Sequence, residues 1–375
     1  MEIKQYKLDE GISFKGPEFE AANIVLVFGE RALIEKDKIY PEFRKGFPNA
    51  DIIFCSTAGE IINTEVNDNT LAVTAIAFEK TKTKTTLVNI SNFKNSFEAG
   101  THLVDLLKGT DLKNILVLAD GQLVNGSELV EGINKNLPQS VTVSGGLAGD
   151  GARFQKTLVG LNDNITQGNL VAIGFYGKNL IVGHGSKGGW DSFGPYRKIT
   201  KSSANVLYEL EGKSALELYK QYLGDLASGL PGTALLFPLS MRLTENDEPV
   251  VRTILSVNEA DHSMTFAGNM PEGAYARLMK ANFDRLVDAA SDAATSSFTP
   301  FNSHKPELAI LISCVGRKLV LNQRVDEEVE SVRSVLGPNT KITGFYSYGE
   351  ISPLTNSVNC ELHNQTMTIT ALSEI

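Results

Sequence analysis

Three segments of this 375-residue chain repeat one pattern: an apolar strand, a helix, a turn at proline, a second strand, and a glycine followed by an acid. The proline precedes the glycine by 11 positions in every copy. Units of this kind build an α/β layer whose loops gather at one rim, where ligands usually bind. The proline and the acid of each copy are Pro48 and Glu60, Pro138 and Asp150, and Pro338 and Glu350.

The segments that follow the first two copies alternate apolar and polar residues. This alternation covers residues 70–78, 85–90, 169–176 and 180–185, and it is typical of antiparallel strands. Together with the strand and helix units, it predicts sheets of mixed strand direction. We therefore expect a mixed α/β fold in two similar halves, with helices packed on twisted mixed sheets.

A segment rich in glycine and proline, residues 225–233, predicts the main domain boundary. The expected organisation is an N-terminal extension over 1–20, an N-terminal domain over 21–226 and a C-terminal domain over 227–375. Just before the boundary, residues 202–224 carry apolar side chains at helical spacing with a glycine in the middle. This pattern predicts two short helices.

The composition argues against nucleic acid and membrane partners. The formal net charge is −9 and Lys and Arg form no cluster, so the long-range field repels nucleic acid and anionic membranes. No apolar run approaches the length of a transmembrane helix, and the N-terminus has no apolar signal region. The sequence therefore predicts a cytoplasmic protein.

The three cysteines, Cys55, Cys314 and Cys360, are far apart and form no CxxC motif. An odd number at irregular spacing argues against a disulfide framework. Cys55 and Cys314 end apolar strands, where a free thiol packs as a small hydrophobic group. A buried structural thiol is the favoured interpretation, and a catalytic nucleophile is the alternative.

Motifs of common enzymes are absent from the sequence, and we expect no enzymatic activity. GHGSKG, residues 183–188, has the glycine spacing of a dinucleotide-binding motif. The following WDSFGP contains Gly194 and Pro195, so no regular helix begins there to bind a pyrophosphate. We expect a glycine-rich turn before Trp190 instead. No HExxH or GxSxG motif is present.

The acids at the ends of the three copies have two interpretations. They accept backbone N–H bonds in a turn, or they line a ligand cleft. In a cleft, Glu60 or Glu350 would accept from a ligand ammonium group, while backbone N–H groups at 145–146 or Gly316 would bind a carboxylate. Arg317 would add a guanidinium suited to a carboxylate, with a surface or interface salt bridge as its alternative role.

Several long segments resemble the FIST family. SCVGRKLVL, GFYSYGEISP and LHNQTMTITALSE are similar to the C-terminal half of FIST domains. FCSTAGEI, SGGLAGDGARFQKT and GGWDSFGP are similar to the N-terminal half. The resemblance extends from about residue 20 to the C-terminus.

The resemblance implies an intracellular sensory protein that binds a small polar ligand, such as an amino acid, in a cleft between its halves. No kinase or cyclase segment accompanies the two halves, so the expected output is a separate signalling partner, for example a histidine kinase. The residues predicted to bind the ligand are Cys55, Ser56, Thr57, Glu60, Gly145, Gly146, Asp150, Gly316, Arg317, Tyr348, Glu350 and Asn364.

The resemblance also implies an alternative function. A bacterial subgroup of FIST proteins binds haem, senses nitric oxide and regulates a partner histidine kinase. Haem in such a sensor needs an axial ligand, which is usually histidine. His184 and His363 are the two candidates for that role.

Overall fold

The computed structural model describes residues 1–9, 12–302, 304–353 and 359–375. Within these ranges the strands form four sheets. Three of them have six strands each and share one design, and the fourth has eight strands and belongs to an inserted segment, residues 191–280. We call the three similar sheets with their helices the three-sheet body, and we call the fourth the inserted sheet.

The first unit of the body covers residues 2–77. Two strands that pair in parallel flank its helices, and two antiparallel strands extend the sheet on one side of that pair. Its elements are β1 (Glu2–Leu8), β2 (Ile24–Gly29), α1 (Arg31–Ile34), α2 (Ile39–Gly46), β3 (Asp51–Ser56), β4 (Glu60–Ile62), β5 (Glu65–Asn67) and β6 (Leu71–Ala77).

The second unit covers residues 82–176 and repeats the order of strands. A 3-10 helix at Ile90–Asn92 precedes the first long helix. The elements are β7 (Lys82–Asn89), α3 (Ser96–Leu107), β8 (Leu112–Ala119), α4 (Gly126–Asn136), β9 (Thr142–Leu147), β10 (Val159–Leu161), β11 (Asn164–Thr166) and β12 (Asn169–Tyr176).

The third unit begins at β13 (Leu180–Lys187) and is interrupted by the inserted sheet. The strands of that sheet lie in the order β18, β17, β21, β14, β15, β20, β19, with β16 paired to β15. Two 3-10 helices, Gly224–Gly229 and Gly232–Leu236, connect its parts. The elements are β14 (Asp191–Ser203), β15 (Val206–Leu210), β16 (Lys213–Ser214), α5 (Ala215–Leu223), β17 (Leu239–Arg242), β18 (Val250–Arg252), β19 (Ile254–Asn258), β20 (Ser263–Phe266) and β21 (Tyr275–Lys280).

After the insertion, the third unit resumes with a long helix and the remaining strands. Short 3-10 helices lie at Thr299–Phe301 and Asn322–Arg324. The elements are α6 (Phe283–Phe298), β22 (Leu308–Cys314), α7 (Val315–Leu321), α8 (Val325–Leu336), β23 (Lys341–Ser347), β24 (Gly349–Pro353), β25 (Cys360–His363) and β26 (Met367–Glu374).

The three units exchange their hairpins in a closed ring. The hairpin β4–β5 of the first unit pairs with β23 of the third. The hairpin β24–β25 of the third pairs with β9 of the second, and β10–β11 of the second pairs with β3 of the first. Each six-stranded sheet is therefore completed by a segment from another unit, and the acid corners lie where the chain crosses between sheets.

Buried strands face both a shared centre and an outer layer of helices. Leu26 of β2, Leu116 of β8 and Ile310 of β22 belong to one central cluster. The alternate residues of the same strands face outward, where Val27 packs with Phe43 of α2. Strands that are buried on both faces are expected to be almost continuously apolar, as these are.

Glycines in β13 permit α6 to approach the sheet closely. A Cβ at Gly183 would lie 1.8 Å from the Ser297 carbonyl oxygen, and one at Gly185 would lie 1.9 Å from that of Ala293. The facing side of α6 carries small residues at 289–290 and 293–294. The GHGSKG segment therefore serves helix packing within a strand, and the predicted turn is wrong at these positions.

The predicted mixed α/β fold, with helices on twisted mixed sheets, is confirmed, and its internal repetition is threefold rather than twofold. The predicted strands at 70–78, 169–176 and 180–185 are present. The first of the two predicted helices is instead strand β15, which pairs with β14 and β20. The sequence-predicted boundary at 226 falls inside the inserted segment. No helix in the described ranges has the length and apolar character to cross a membrane.

Candidate functional site

A cavity of about 590 Å³ lies between the three-sheet body and the inserted sheet. Two other depressions, of about 780 and 330 Å³, are lined partly by charged side chains. The body lines the 590 Å³ cavity with Gly121, Gln122, Leu123, Val124, Asn125, Gly126, Leu147, Phe154, Cys314, Val315, Gly316 and Tyr348. The inserted sheet and its connections line it with Asn205, Pro231, Gly232, Leu235, Thr253, Ile254, Leu255, Phe266, Ala267, Gly268 and Asn269.

The loop from β8 to α4 forms one wall, and Asp120 fixes its shape. The Asp120 carboxylate accepts backbone N–H bonds from Gln122 at 2.8 Å, Leu123 at 2.7 Å and Gly168 at 2.9 Å. Asn125 caps α4, because its side-chain oxygen accepts from the Glu128 N–H at 3.1 Å. The first N–H groups of a helix have no partner within the helix, so the N-terminus of α4 presents donors at this wall.

Few polar contacts join the inserted sheet to the body beside the cavity. The Asn269 backbone N–H donates to the Ser127 hydroxyl oxygen at 3.1 Å, and the Asn125 amide approaches the Asn269 side-chain oxygen at 3.4 Å. The buried Arg252 guanidinium donates to the Leu362 carbonyl oxygen at 2.8 Å. The inserted sheet is thus tied to the body by a small set of hydrogen bonds.

Two stacked aromatic rings form another wall. Phe154 and Tyr348 have ring centroids 4.5 Å apart and an interplanar angle of 19°. The Phe154 backbone N–H donates to the Tyr348 hydroxyl oxygen at 3.1 Å, and burial raises the pKa of Tyr348 to about 12. Phe154 has a φ of 53° and its residue is 40% exposed. Such a conformation is costly for an aromatic residue, so neighbouring contacts hold it in place.

The described residues that line the cavity are apolar, amide-bearing, hydroxyl-bearing or glycine, apart from the Cys314 thiol. Burial raises the pKa of that thiol, so it is protonated and uncharged at neutral pH. Thr253 is buried, and within the described residues its hydroxyl has no hydrogen-bond partner. The cavity therefore combines apolar walls with a few neutral polar groups, as small-molecule sites usually do.

Sequence models of the two FIST domains match this chain. The FIST N domain matches residues 23–213, and the FIST C domain matches residues 215–353. The chain belongs to the FIST family. FIST domains are associated with signal transduction and with the sensing of small ligands.

An uncharacterized protein of Methanocaldococcus jannaschii is 23% identical to this FIST protein in an alignment of length 334 that covers 80% of this chain. The aligned region spans 62% of the length of that relative. Among solved structures, that of PurLQS from Thermotoga maritima aligns over 99% of this chain and 72% of its own, with a TM-score of 0.20 and 7% identity. A likeness this weak supports no conclusion.

Two of the residues predicted to bind ligand, Gly316 and Tyr348, line the cavity of this FIST protein. Gly145 and Gly146 lie in β9 and are buried. A Cβ at Gly145 would lie 1.8 Å from the Val117 carbonyl oxygen, so this glycine permits close strand pairing. Asn364 is buried, and its amide donates to the His363 carbonyl oxygen at 3.0 Å.

The corner acids Glu60 and Glu350 are buried and hydrogen-bonded within the protein. Glu350 accepts from the Ser347 hydroxyl at 2.8 Å and from the Thr366 N–H at 3.1 Å. Glu60 accepts from the Thr57 hydroxyl at 2.5 Å in the same way. Burial raises the pKa of Glu60 to about 7 and that of Glu350 to about 8. Both acids hold the chain where it crosses between sheets, as the structural interpretation proposed.

Asp150, the acid of the second copy, is paired with arginines. Its carboxylate accepts from Arg31 at 3.0 Å and from Arg153, and Arg153 also binds Glu30 at 2.8 Å. Hydrogen bonds from both arginines outweigh the effect of burial and lower the pKa of Asp150. This ion-pair group holds the loop that carries Phe154, so Asp150 supports the aromatic wall indirectly.

Arg317 lies fully buried, outside the cavity wall. Its guanidinium binds Glu328 at 2.8 Å and donates to the carbonyl oxygens of Gly188 at 2.6 Å and Leu286 at 2.7 Å. These contacts direct its donors toward the interior rather than toward a ligand. Arg317 therefore forms a buried ion pair, not the surface or interface salt bridge that the sequence offered as its alternative role.

Residues 55–57 of the first copy are buried at the crossing between sheets. The Ser56 hydroxyl donates to the Gly149 carbonyl oxygen at 2.8 Å, and Thr57 binds Glu60. Cys55 and Cys360 are buried free thiols, and burial raises the pKa of each. This placement matches the structural interpretation of the cysteines.

The two histidines proposed as haem ligands lie apart from the cavity and in different sheets, on β13 and β25. His184 contacts the Thr142 hydroxyl at 2.9 Å, and His363 contacts the Ser352 carbonyl oxygen at 3.3 Å. Burial lowers the pKa of both imidazoles to about 4. In the described ranges, no group of three or more His, Cys, Asp or Glu could hold a metal ion. Because neither histidine lines the cavity, neither offers an axial ligand to a haem bound there.

Sequence reasoning missed most of the cavity wall. Asn125 follows the first strand of the second copy and precedes a helix. This order of strand, Asn-Gly and helix was the pattern in the sequence that could have predicted Asn125 as a site residue. Thr253 and Asn269 carry no comparable signal. They reach the site only through the pairing of the inserted strands, which depends on contacts far apart in the sequence.

Proposed function

We propose that this FIST protein is a small-ligand sensor that binds its ligand in the 590 Å³ cavity and acts without catalysis. The main support for the proposal is the position of the cavity between two parts that have separate sheets, the three-sheet body and the inserted sheet. A ligand there contacts both parts at once. Its binding therefore changes the relative stability of their arrangements.

The signal follows from a difference in affinity between two arrangements. Near the cavity, the hydrogen bonds of Asn269 to Ser127 and of Arg252 to Leu362 hold the inserted sheet to the body. A ligand that contacts both walls favours the closed arrangement over a more open one. At saturation, the ligand changes the equilibrium constant between the two arrangements by the ratio of its affinities for them. A separate signalling protein, such as a histidine kinase, would detect the change.

An amino acid is the ligand class that the resemblance to the FIST family implies. Its carboxylate would face the donors at the N-terminus of α4, a position that favours negative charge. Among the described wall residues, its ammonium group would have neutral carbonyl, amide and hydroxyl oxygens as partners. Amino acids therefore belong in the first set of compounds to test, together with uncharged compounds of similar size.

The test is a thermal-shift screen followed by calorimetry with Ala267→Phe as the blocked variant. Ala267 lines the cavity and is half-buried, so a phenyl group there fills space that a ligand would need. The matched control is Ala260→Phe, in the exposed turn between β19 and β20. A ligand at 100 times its Kd stabilises the folded protein by about 2.7 kcal/mol.

We expect compounds that stabilise the parent chain and the Ala260→Phe control but not the Ala267→Phe variant. Leu255→Trp provides a second blocked variant, because Leu255 is 47% exposed at the cavity and tolerates a larger side chain. Circular dichroism verifies that each variant is folded. Compounds that bind all variants equally would contradict the assignment of the site.

A further inference from the structure

We propose that the ligand of this cavity is an uncharged molecule with an aromatic or branched aliphatic body and a carbonyl group. This inference rests on the proposed function and narrows its ligand class. It excludes the zwitterionic amino acids as the preferred ligands. Three properties of the wall support it: its lack of charge, its apolar surface and the position of its hydrogen-bond donors.

The first property is charge. Each described residue that lines the cavity has a neutral side chain. Charged groups close behind the wall are already paired: Asp120 with three backbone N–H groups, Asp150 with Arg153, and Arg252 with Glu361 at 3.3 Å. A buried charge without a partner costs far more than a neutral polar group. An ammonium group in the ligand would therefore lose its hydration without a compensating ion pair, and a carboxylate would gain in return the partial positive charge at the N-terminus of α4 rather than a full counter-charge.

The second property is the apolar surface. Phe154 and Tyr348 present stacked rings, and Leu235 and Ile254 contribute aliphatic surface on the opposite side. Leu123 also lines this cavity, and its residue is 56% exposed. Aromatic rings and branched aliphatic groups gain most from such walls.

The third property is the position of the donors. The amide of Asn269, on the inserted sheet, and the N-terminus of α4 at Gly126, on the three-sheet body, both line the cavity, and both supply N–H donors. A carbonyl oxygen accepts two hydrogen bonds and carries no charge, so it satisfies donors here at little desolvation cost.

The experiment compares matched probes that share a body and differ in charge. The aromatic set is phenylacetamide, phenylacetate, phenethylamine and phenylalanine, and the aliphatic set is isovaleramide, isovalerate, isoamylamine and leucine. Calorimetry at neutral pH measures each compound against the parent chain and against the Ala267→Phe and Ala260→Phe variants. We expect at least tenfold tighter binding of the amide than of its charged counterparts, and loss of that binding only in the Ala267→Phe variant.

The outcomes separate this inference from the proposed function. Tighter binding of a carboxylate, amine or amino acid, still lost in the Ala267→Phe variant, overturns the inference and leaves the cavity as the sensing site. If no probe shows binding that is lost in the Ala267→Phe variant, both the inference and the proposed function are overturned.

A second variant tests the aromatic wall without blocking the cavity. Phe154→Asn removes the ring, and asparagine tolerates the positive φ of this position. We expect affinity for phenylacetamide to fall at least fivefold while the protein remains folded. The control is Phe283→Asn, since Phe283 is 45% exposed at the start of α6 and lies outside the wall. Equal affinity in both variants would overturn the role of the ring.

Discussion

Replacing Arg317 tests whether this residue stabilises the interior or serves a ligand. In the structure, Arg317 and Glu328 are both fully buried, and they form an ion pair of 2.8 Å. Arg317→Met keeps the length of the side chain and removes the charge. Among the described residues, Glu328 would then keep the hydroxyl groups of Ser313 and Tyr346, at 3.2 and 2.6 Å, as its side-chain partners. A buried pair broken in this way costs about 3–5 kcal/mol of unfolding free energy.

Glu328→Gln and the double variant complete a thermodynamic cycle. Glu328→Gln leaves Arg317 with the carbonyl oxygens of Gly188 and Leu286, so it also destabilises the protein. Because the two residues contact each other, we expect the double variant to cost less than the sum of the single variants, by about 1–3 kcal/mol. Arg324→Met is the matched control, because its ion pairs with Asp284 and Glu327 lie at the surface and contribute little.

The assay is urea unfolding at neutral pH, followed by circular dichroism and by the fluorescence of Trp190, the single tryptophan of the chain. Trp190 is 7% exposed and lies two residues from Gly188, so its emission reports on the region that Arg317 holds. A cost under about 1 kcal/mol for Arg317→Met would refute the reasoning. Such a result would return Arg317 to the set of possible ligand contacts.

Three further predictions concern the corners, the helix contact and the thiols. Burial raises the pKa of Glu350 from its usual 4.5 to about 8, so the folded protein holds this proton more tightly than the unfolded chain does. The folded protein therefore loses stability as the pH rises between these two values. Glu350→Gln should reduce that loss, which urea unfolding at about pH 5.5 and 8 would measure. A steeper loss in the variant would contradict the assignment. Gly183→Ala should destabilise the protein by about 3 kcal/mol, because the added Cβ meets the Ser297 carbonyl oxygen at 1.8 Å. The control is Gly16→Ala, which has open space around it and should have little effect. Thermal melts of both variants would measure the difference. The three buried thiols should react with a thiol reagent only after unfolding, and rapid native labelling of any of them would contradict their structural role.

Local patterns predicted the strands well and their partners poorly. The alternation at 70–78 and 169–176 reflects strands with defined faces, and this signal lies within a few residues. The exchange of hairpins has no such signal, since β4 pairs with β23, where Ile62 is opposite Thr343 in the distant third unit. Residues 206–210 fit a helical pattern and still form a strand, because pairing with β14 and β20 decides their conformation.

The candidate site was predicted in part for the same reason. Gly316 and Tyr348 follow strands of the third copy, and the sequence correctly placed them near the ends of parallel strands. The corner acids were visible as a repeat, but their burial and their partners were not, because Thr70 and Thr366 come from segments outside the repeated pattern. The inserted sheet contributes about half of the wall, and none of its wall residues was among those predicted to bind the ligand.

Because its three similar units exchange hairpins in a closed ring, this single chain has the arrangement of a trimer of similar subunits. One unit alone would expose the edge of β3, β9 or β23, which only a hairpin from another unit covers. Three separate copies of such a unit would close their sheets by associating, as subunits do around a threefold axis. In this protein the linkers between units replace that association, so assembly does not depend on concentration. The three positions are also free to differ, and only the third carries the inserted sheet that walls the cavity.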